Sequence, residues 1–413
     1  MTHAPISATV NQANWEYRAT WLLWLCCAFS LAFIAIPTIP AVIFLCAVLL
    51  YCALFPLRPY RALTWNLIPW VIVLFGMLSV IWSEQPMQSL RATPQIAISV
   101  LAAIMFAQGL QARSFIAVTL YAFIASDVAY LFVSDIFGSK NMVAQTLALV
   151  MLSSFWVMLD KQQPKLARTI ALLAFLGAPP MLASAGSEGA LLAGGLAILS
   201  SVIPFLMGRL HSSTRILLTW VGVFVICLTL GIARLLFNDL FDLLLLSIGK
   251  DVSLTGRTLL WSHAANIIAD HPFGLGLQAF WVESNSQAVR FWETFYINNH
   301  YGFHFHDLWL EIGVELGLIG ILIAAGTTLV VFFSVWRWVL RDPGPESCFF
   351  AGYVIFIVSR TLGEVELYAQ FSMTSMIFMA AYYYADSAQR SSRSRKEAVR
   401  RSEIEPLGAA IES

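Results

Sequence analysis

The sequence predicts an all-α, polytopic membrane protein: about twelve transmembrane helices and one long extracytoplasmic loop containing short helices. Three observations predict it. Of 413 residues, 59% are hydrophobic and only 12% are charged, where a soluble domain carries roughly 25% charge. Mean hydropathy is +0.75. The apolar residues fall in runs of about 20, the length of helix that crosses a bilayer, and polar turns separate them. The exception is one long polar stretch near 237–307.

The runs place spans near 19–36, 38–56, 63–82, 92–108, 114–133, 141–159, 168–184, 189–207, 215–236, 308–336, 346–363 and 370–386. Pro40, Pro179 and Pro180 predict bends in the second and seventh. Basic residues orient them. With both termini in the cytoplasm, Arg58, Arg61, Arg113, Lys161, Lys165, Arg168, Arg209, Arg215, Arg337 and Arg341 all fall on cytoplasmic loops. The organisation is then a cytoplasmic N-terminus (1–18), nine spans (19–236), an outer catalytic loop (237–307), three spans (308–386) and a basic cytoplasmic tail (387–413) read as mostly disordered. No small-residue cleavage site follows the polar start, so the first run reads as a retained anchor. Zero net charge gives no reason to propose nucleic acid. The six cysteines contain no CxxC pair, so neither a disulfide framework nor a zinc site is expected.

Seven cations break the positive-inside pattern: Arg91, Lys140, Arg234, Lys250, Arg257, Arg290 and Arg360. They are read as surrounding one outward-facing anionic site, with outer-leaflet headgroups as the alternative. Arg257 stands in the first turn of a helix that Ser253 or Thr255 can cap and that Pro272, Gly274 and Gly276 stop. The helix dipole does not favour a cation there, so a bound anion explains it better, and helix N-termini suit phosphates. Gly274-x-Gly276 follows no strand and reads as a turn. The loop aromatics Phe280, Trp281, Phe291, Trp292, Phe295 and Tyr296 are expected mainly at the membrane interface, with sugar stacking as the alternative.

Five of the seven histidines lie between His263 and His306. His300, His304 and His306 immediately precede an apolar helix on which Asp307, Glu311 and Glu315 recur every four residues along one face. Carboxylates entering a span must face protein or water, and one of them can orient a catalytic imidazole. His304, His306 and a carboxylate are also a conceivable metal set, but no further His or Cys pattern supports it. Interfacial helix capping by the histidines is the bland alternative. Arg360, Glu364 and Glu366 add charge at another outer span end.

These residues carry a family resemblance. WSEQPMQSLR at 82–91, GSKNMVAQ at 138–145, TGRTLLW at 255–261, HPFGLGLQAFW at 271–281 and HFHDLWLEIGVELGLIG at 304–320 resemble the O-antigen ligase and polysaccharide polymerase superfamily, the exopolysaccharide polymerases above all. The resemblance implies a bacterial inner-membrane, metal-independent glycosyltransferase with a periplasmic active site and no cofactor. Its donor would be a glycan on undecaprenyl pyrophosphate. Its acceptor would be a lipid-linked repeat for a polymerase or lipid A core for a ligase. A chain-length regulator and a flippase are implied partners, beside membrane lipids. The family's essential histidine maps onto His306 and its loop arginine onto Arg257. Two positions depart from the family pattern: Asp307 replaces a common Asn, and Glu188 replaces a common basic residue.

The sequence therefore assigns His306, His304 and Asp307 to catalysis, with His306 or His304 as the base. Arg257, Arg360, Arg91, Lys140 and Arg290 are assigned to the diphosphate, and Glu311, Glu315, Glu364 and Trp261 to support. A diphosphate leaving group needs charge neutralisation more than a proton, and guanidinium supplies it bidentately. Attack opposite the leaving group would invert the anomeric centre. A transporter of lipid-linked sugars is the second alternative, but it should show inverted repeats and none is visible.

Overall fold

The structure is a computed structural model that describes residues 6–32, 38–132, 140–222, 257–297, 300 and 303–411. Among these residues the α-helices are α1 (Ile6–Ala32), α2 (Thr38–Leu54), α3 (Leu57–Trp65), α4 (Ile68–Leu78), α5 (Pro86–Gly109), α6 (Ala112–Phe132), α7 (Lys140–Leu159), α8 (Lys165–Ser184), α9 (Glu188–Leu206), α10 (Arg257–Asp270), α11 (Ser286–Thr294), α12 (Leu308–Arg341), α13 (Pro345–Arg360) and α14 (Met373–Ile411). No strand occurs among them.

Six helices are long and apolar enough to cross a membrane: Pro86–Gly109, Ala112–Phe132, Lys140–Leu159, Lys165–Ser184, Glu188–Arg209 and Leu308–Arg341. Ile39–Leu54 and Leu57–Trp65, bent by 103°, make a seventh if they are one broken span. The protein is a multi-pass helical membrane protein, and among the described residues six or seven of the twelve expected spans have the length and hydropathy of a crossing helix. The run at 63–82 is interrupted where the Asn66 side chain accepts from the Ile68 amide at 3.0 Å, and the helix that follows has 11 residues. The run at 346–363 forms a 16-residue helix, shorter than the roughly 20 residues a bilayer needs. The runs at 19–36 and 215–236 extend beyond the described residues. The tail expected to be disordered continues α14 as helix to Ile411, in keeping with its Ala, Arg, Lys and Glu content.

Within the bundle α7 packs on α6, α8 and α9, α13 packs on α9 and α7, and α14 packs on α5 and α12. Arg215, read from sequence as a topology signal, also closes helix ends. Its guanidinium donates to the carbonyls of Leu340, Arg341 and Gly208 at 2.8–3.0 Å, groups that a helix C-terminus leaves without partners.

The outer segment has its own apolar core. Leu260, Ala264 and Ile267 of α10 join Phe280, Phe291, Trp292 and Phe305 over Val314 of α12. Interfacial placement is thereby overturned for Phe280, Phe291 and Trp292, which are buried, while Tyr296 stands exposed. A second feature was not foreseen. α12 is broken at Gly317, whose φ of 67° and ψ of −166° are not helical. The turn at 271–276 plugs the break. Leu275 N–H donates to Val314 O and Gly276 N–H to Glu315 O, both at 2.8 Å, and Leu318 N–H donates to Pro272 O at 2.9 Å. Gly274 and Gly317 both have positive φ, and a Cβ on either would collide with the backbone of the other segment. Backbone groups freed inside a span must be satisfied by protein, and this plug satisfies them.

Candidate active site

The HFH tripeptide is held by its middle residue. Phe305 is fully buried, its ring 5.0 Å from Phe280 and 4.9 Å from Trp281 between centroids. Its N–H donates to Glu311 Oε2 at 2.9 Å, and its carbonyl accepts from Trp261 Nε1 at 2.9 Å. His304 and His306 flank it, their ring centroids 4.3 Å apart. His306 has a positive φ of 55°, a left-handed conformation uncommon outside glycine and typical of functional sites. Asp307 then caps α12, its Oδ1 accepting from Trp309 and Leu310 N–H at 2.9 and 3.0 Å. Asn and Asp are near-equal N-caps, so the departure from the family pattern leaves this function intact.

The carboxylate that meets the imidazoles comes from the link between α13 and α14. Glu364 Oε2 lies 3.6 Å from His306 Nδ1 and 3.8 Å from His304 Nε2. Its Oε1 accepts from Asn141 Nδ2 at 2.7 Å and lies 3.5 Å from Arg257 Nη2. Arg257 Nη1 also donates to Gly363 O at 3.3 Å. Burial opposes ionisation of Glu364, but its contact with His306, the neighbouring imidazoles and the Arg360 guanidinium outweigh it, holding the carboxyl below its usual range.

The two histidines differ. His304 Nδ1 accepts the His306 backbone N–H at 3.0 Å, so its proton resides on Nε2, which faces Glu364. Burial first, then the neighbouring His306, pushes the His304 imidazole down to about 4, so it is neutral at physiological pH. His306 turns Nδ1 toward the carboxylate, 3.6 Å from Glu364 Oε2. His304, His306 and Glu364 also lie close enough to share a metal ion. The donor chemistry does not favour one: a ligating histidine donates its other N–H, whereas here His304 Nδ1 is already an acceptor and its other nitrogen carries the hydrogen.

The fold thus gathers Arg257, His304, His306 and Glu364, and adds Asn141. The remaining predicted residues lie elsewhere or do other work. Glu311 binds the Trp281 indole N–H at 2.8 Å and the Phe305 amide, and Glu315 accepts from Gln278 Nε2 at 3.1 Å. Arg360 is buried and ion-paired with Glu366. Arg91, Lys140 and Arg290 are exposed, and no ion pair ties them to the imidazoles among the described residues. His300 stacks on Trp292 at 4.4 Å between centroids, away from the pair. Ser253 and Thr255, the expected caps of α10, lie outside the described residues. Asn141 lies within GSKNMVAQ, and its one sequence signal is a carboxamide in a span's first turn.

A family profile described as O-antigen ligase matches residues 170–325, which hold Arg257, His304 and His306. That segment of the chain is similar to the O-antigen ligase family. The resemblance read from the motifs, to the O-antigen ligase and polysaccharide polymerase superfamily, therefore holds. A curated relative, the exopolysaccharide production protein ExoQ of Rhizobium meliloti (strain 1021), is 37% identical over 138 residues. That match covers 33% of this chain and 32% of the relative, about a third of each. Glu364 and Asn141 lie outside the matched O-antigen ligase segment.

Proposed function

We propose that the protein is a membrane glycosyltransferase that moves a glycan from a lipid diphosphate to a sugar hydroxyl. The observation that carries the reading is one carboxylate, Glu364, facing the His306 ring on one edge and Arg257 on the other. His306 Nε2 takes the proton of the acceptor hydroxyl as the new C–O bond forms. Glu364 stabilises the imidazolium that results, the role of an orienting carboxylate beside a general base. The bond from the anomeric carbon to the phosphate oxygen breaks, and the diphosphate leaves with the electron pair. Arg257, partly exposed at the start of α10, neutralises it. Attack opposite the leaving group inverts the anomeric carbon. Arg360 acts from behind, because its guanidinium is engaged by Glu366.

Undecaprenyl pyrophosphate is the donor carrier in this reading, the bacterial inner membrane the location, and the periplasmic side the face of the site. The exopolysaccharide name of the curated relative supports polymerisation of repeat units. The description of the matched family supports the second reading, ligation of a finished chain to lipid A core. Deleting the gene separates them: loss of a secreted polymer supports the first, and loss of O-chains from lipopolysaccharide supports the second. For the chemistry, His306→Ala in normally inserted protein should abolish product, and full-length polymer from that variant would refute the base assignment. Arg257→Ala should weaken binding of undecaprenyl diphosphate to the purified chain.

A further inference from the structure

We infer that Asn141 is a positioning residue: its side-chain amide holds Glu364 between the two imidazoles and keeps the carboxylate from closing on Arg257. The inference rests on the proposed role of His306. Among the described residues, four side chains approach the Glu364 carboxylate. Asn141 does so at 2.7 Å, Arg257 at 3.5 Å, His306 at 3.6 Å and His304 at 3.8 Å. The amide alone is at normal hydrogen-bond length.

That order runs against intrinsic strength. A guanidinium within reach of a carboxylate normally forms the shorter, bidentate pair. Here Oε1 is already occupied by a neutral donor, and the guanidinium's other nitrogen is drawn to Gly363 O at 3.3 Å. A neutral donor anchors the carboxylate without cancelling its charge, so Oε2 keeps its field for the rings. Asn141 approaches from the first turn of α7, a helix buried along most of its length, whereas Glu364 lies in the link between α13 and α14, its N–H donating to Arg360 O. The amide thus ties the link to a neighbouring helix. Without the amide, Glu364 and Arg257 can pair fully. The base would lose its carboxylate and the diphosphate its guanidinium in one step.

The test uses purified full-length protein and lipid-linked glycan extracted from a strain deleted for this gene. Asn141→Leu removes the donor at similar volume and should lower kcat roughly 10- to 100-fold. Deprived of its carboxylate, the base becomes weaker, so the acid limb of the pH–rate profile moves to lower pH, and KM for the donor rises. Asn141→Ser, which keeps a donor, should return the acid limb toward wild type. A variant that merely folded less well would lose amplitude with an unmoved profile. That result, or an unchanged profile and KM at full activity, overturns the inference. If Asn141→Leu does not accumulate in the membrane, Asn141→Ser and Asn141→Asp carry the test. The added carboxylate of Asn141→Asp should repel Glu364 and depress kcat further than Asn141→Ser, and equal rates for the two would overturn the inference. Wild-type activity from His306→Ala would instead defeat the reading beneath it, whatever the Asn141 variants do.

Discussion

Replacing Glu364 by glutamine tests how much the carboxylate contributes to the proposed base, His306. The distance between Oε2 and His306 Nδ1 is 3.6 Å. At an effective dielectric of about 20, a carboxylate and an imidazolium at that separation attract by about 4–5 kcal/mol. The Glu364 side chain is 14% exposed and that of His306 25%, so solvent screening cuts this to about 2–3 kcal/mol. In the proposed mechanism the imidazolium forms only as the hydroxyl proton is transferred, so the whole difference appears in the barrier. Glu364→Gln should therefore lower kcat roughly 30- to 150-fold at neutral pH. The assay is polymer formation by purified protein supplied with extracted lipid-linked glycan, resolved by chain length on a gel. Retention of kcat within threefold of wild type, in protein that melts normally, would refute the reasoning. It would mean that His306 works without its carboxylate or does not work as the base.

Other outcomes follow from the same structure. Gly317→Ala places a Cβ against Pro272 O in a left-handed backbone; the loss should be about 3 kcal/mol or more, read as a lower melting temperature in detergent. Gly274→Ala should act likewise, and the double variant should lose less than the sum because both open the same joint. Asp307→Asn should retain wild-type activity and stability, whereas Asp307→Ala should lose about 1 kcal/mol of helix capping; a catalytic role would show instead as lost turnover in Asp307→Asn. His304 is pushed from 6.5 down to about 4 in the folded protein. Above pH 6.5 it is neutral folded or unfolded, and between 6.5 and 4 only the unfolded chain takes the proton. Acidification across that window should thus remove up to about 3 kcal/mol of stability, and His304→Asn should flatten that part of the melting profile. Glu364, held below 4.5, adds a further loss that begins as the pH falls through 4.5.

Charge was the legible part of this sequence. Arg257 and His306 stood out because cations and imidazoles are rare in so apolar a chain and because the motifs around them are specific. The partner of His306 was harder to read. Glu311 and Glu315 share a helix face with the residue after it, so periodicity favoured them. Tertiary contacts instead bring Trp281, Phe305 and Gln278 to those carboxylates and leave the imidazoles to Glu364, far away in sequence. Nor does linear order show that Arg360 is already engaged by Glu366. Fewer helices than apolar runs reach spanning length among the described residues, for a related reason. Hydropathy registers apolar length, whereas helix length also depends on events such as the Asn66 side chain bonding Ile68 N–H. The break in α12 gave no signal of its own, since glycine is common in spans; a second glycine turn that fits it, at Gly274 and Gly276, was the available clue.

The plug at Gly317 sets a rule for building hybrids between this protein and others of its kind. Residues 271–276 and 314–318 exchange three backbone hydrogen bonds, so they must be transplanted together as one cassette. A donor segment grafted with only one half would strand two carbonyls and an amide at the break, and such a hybrid should misassemble before its function can be measured.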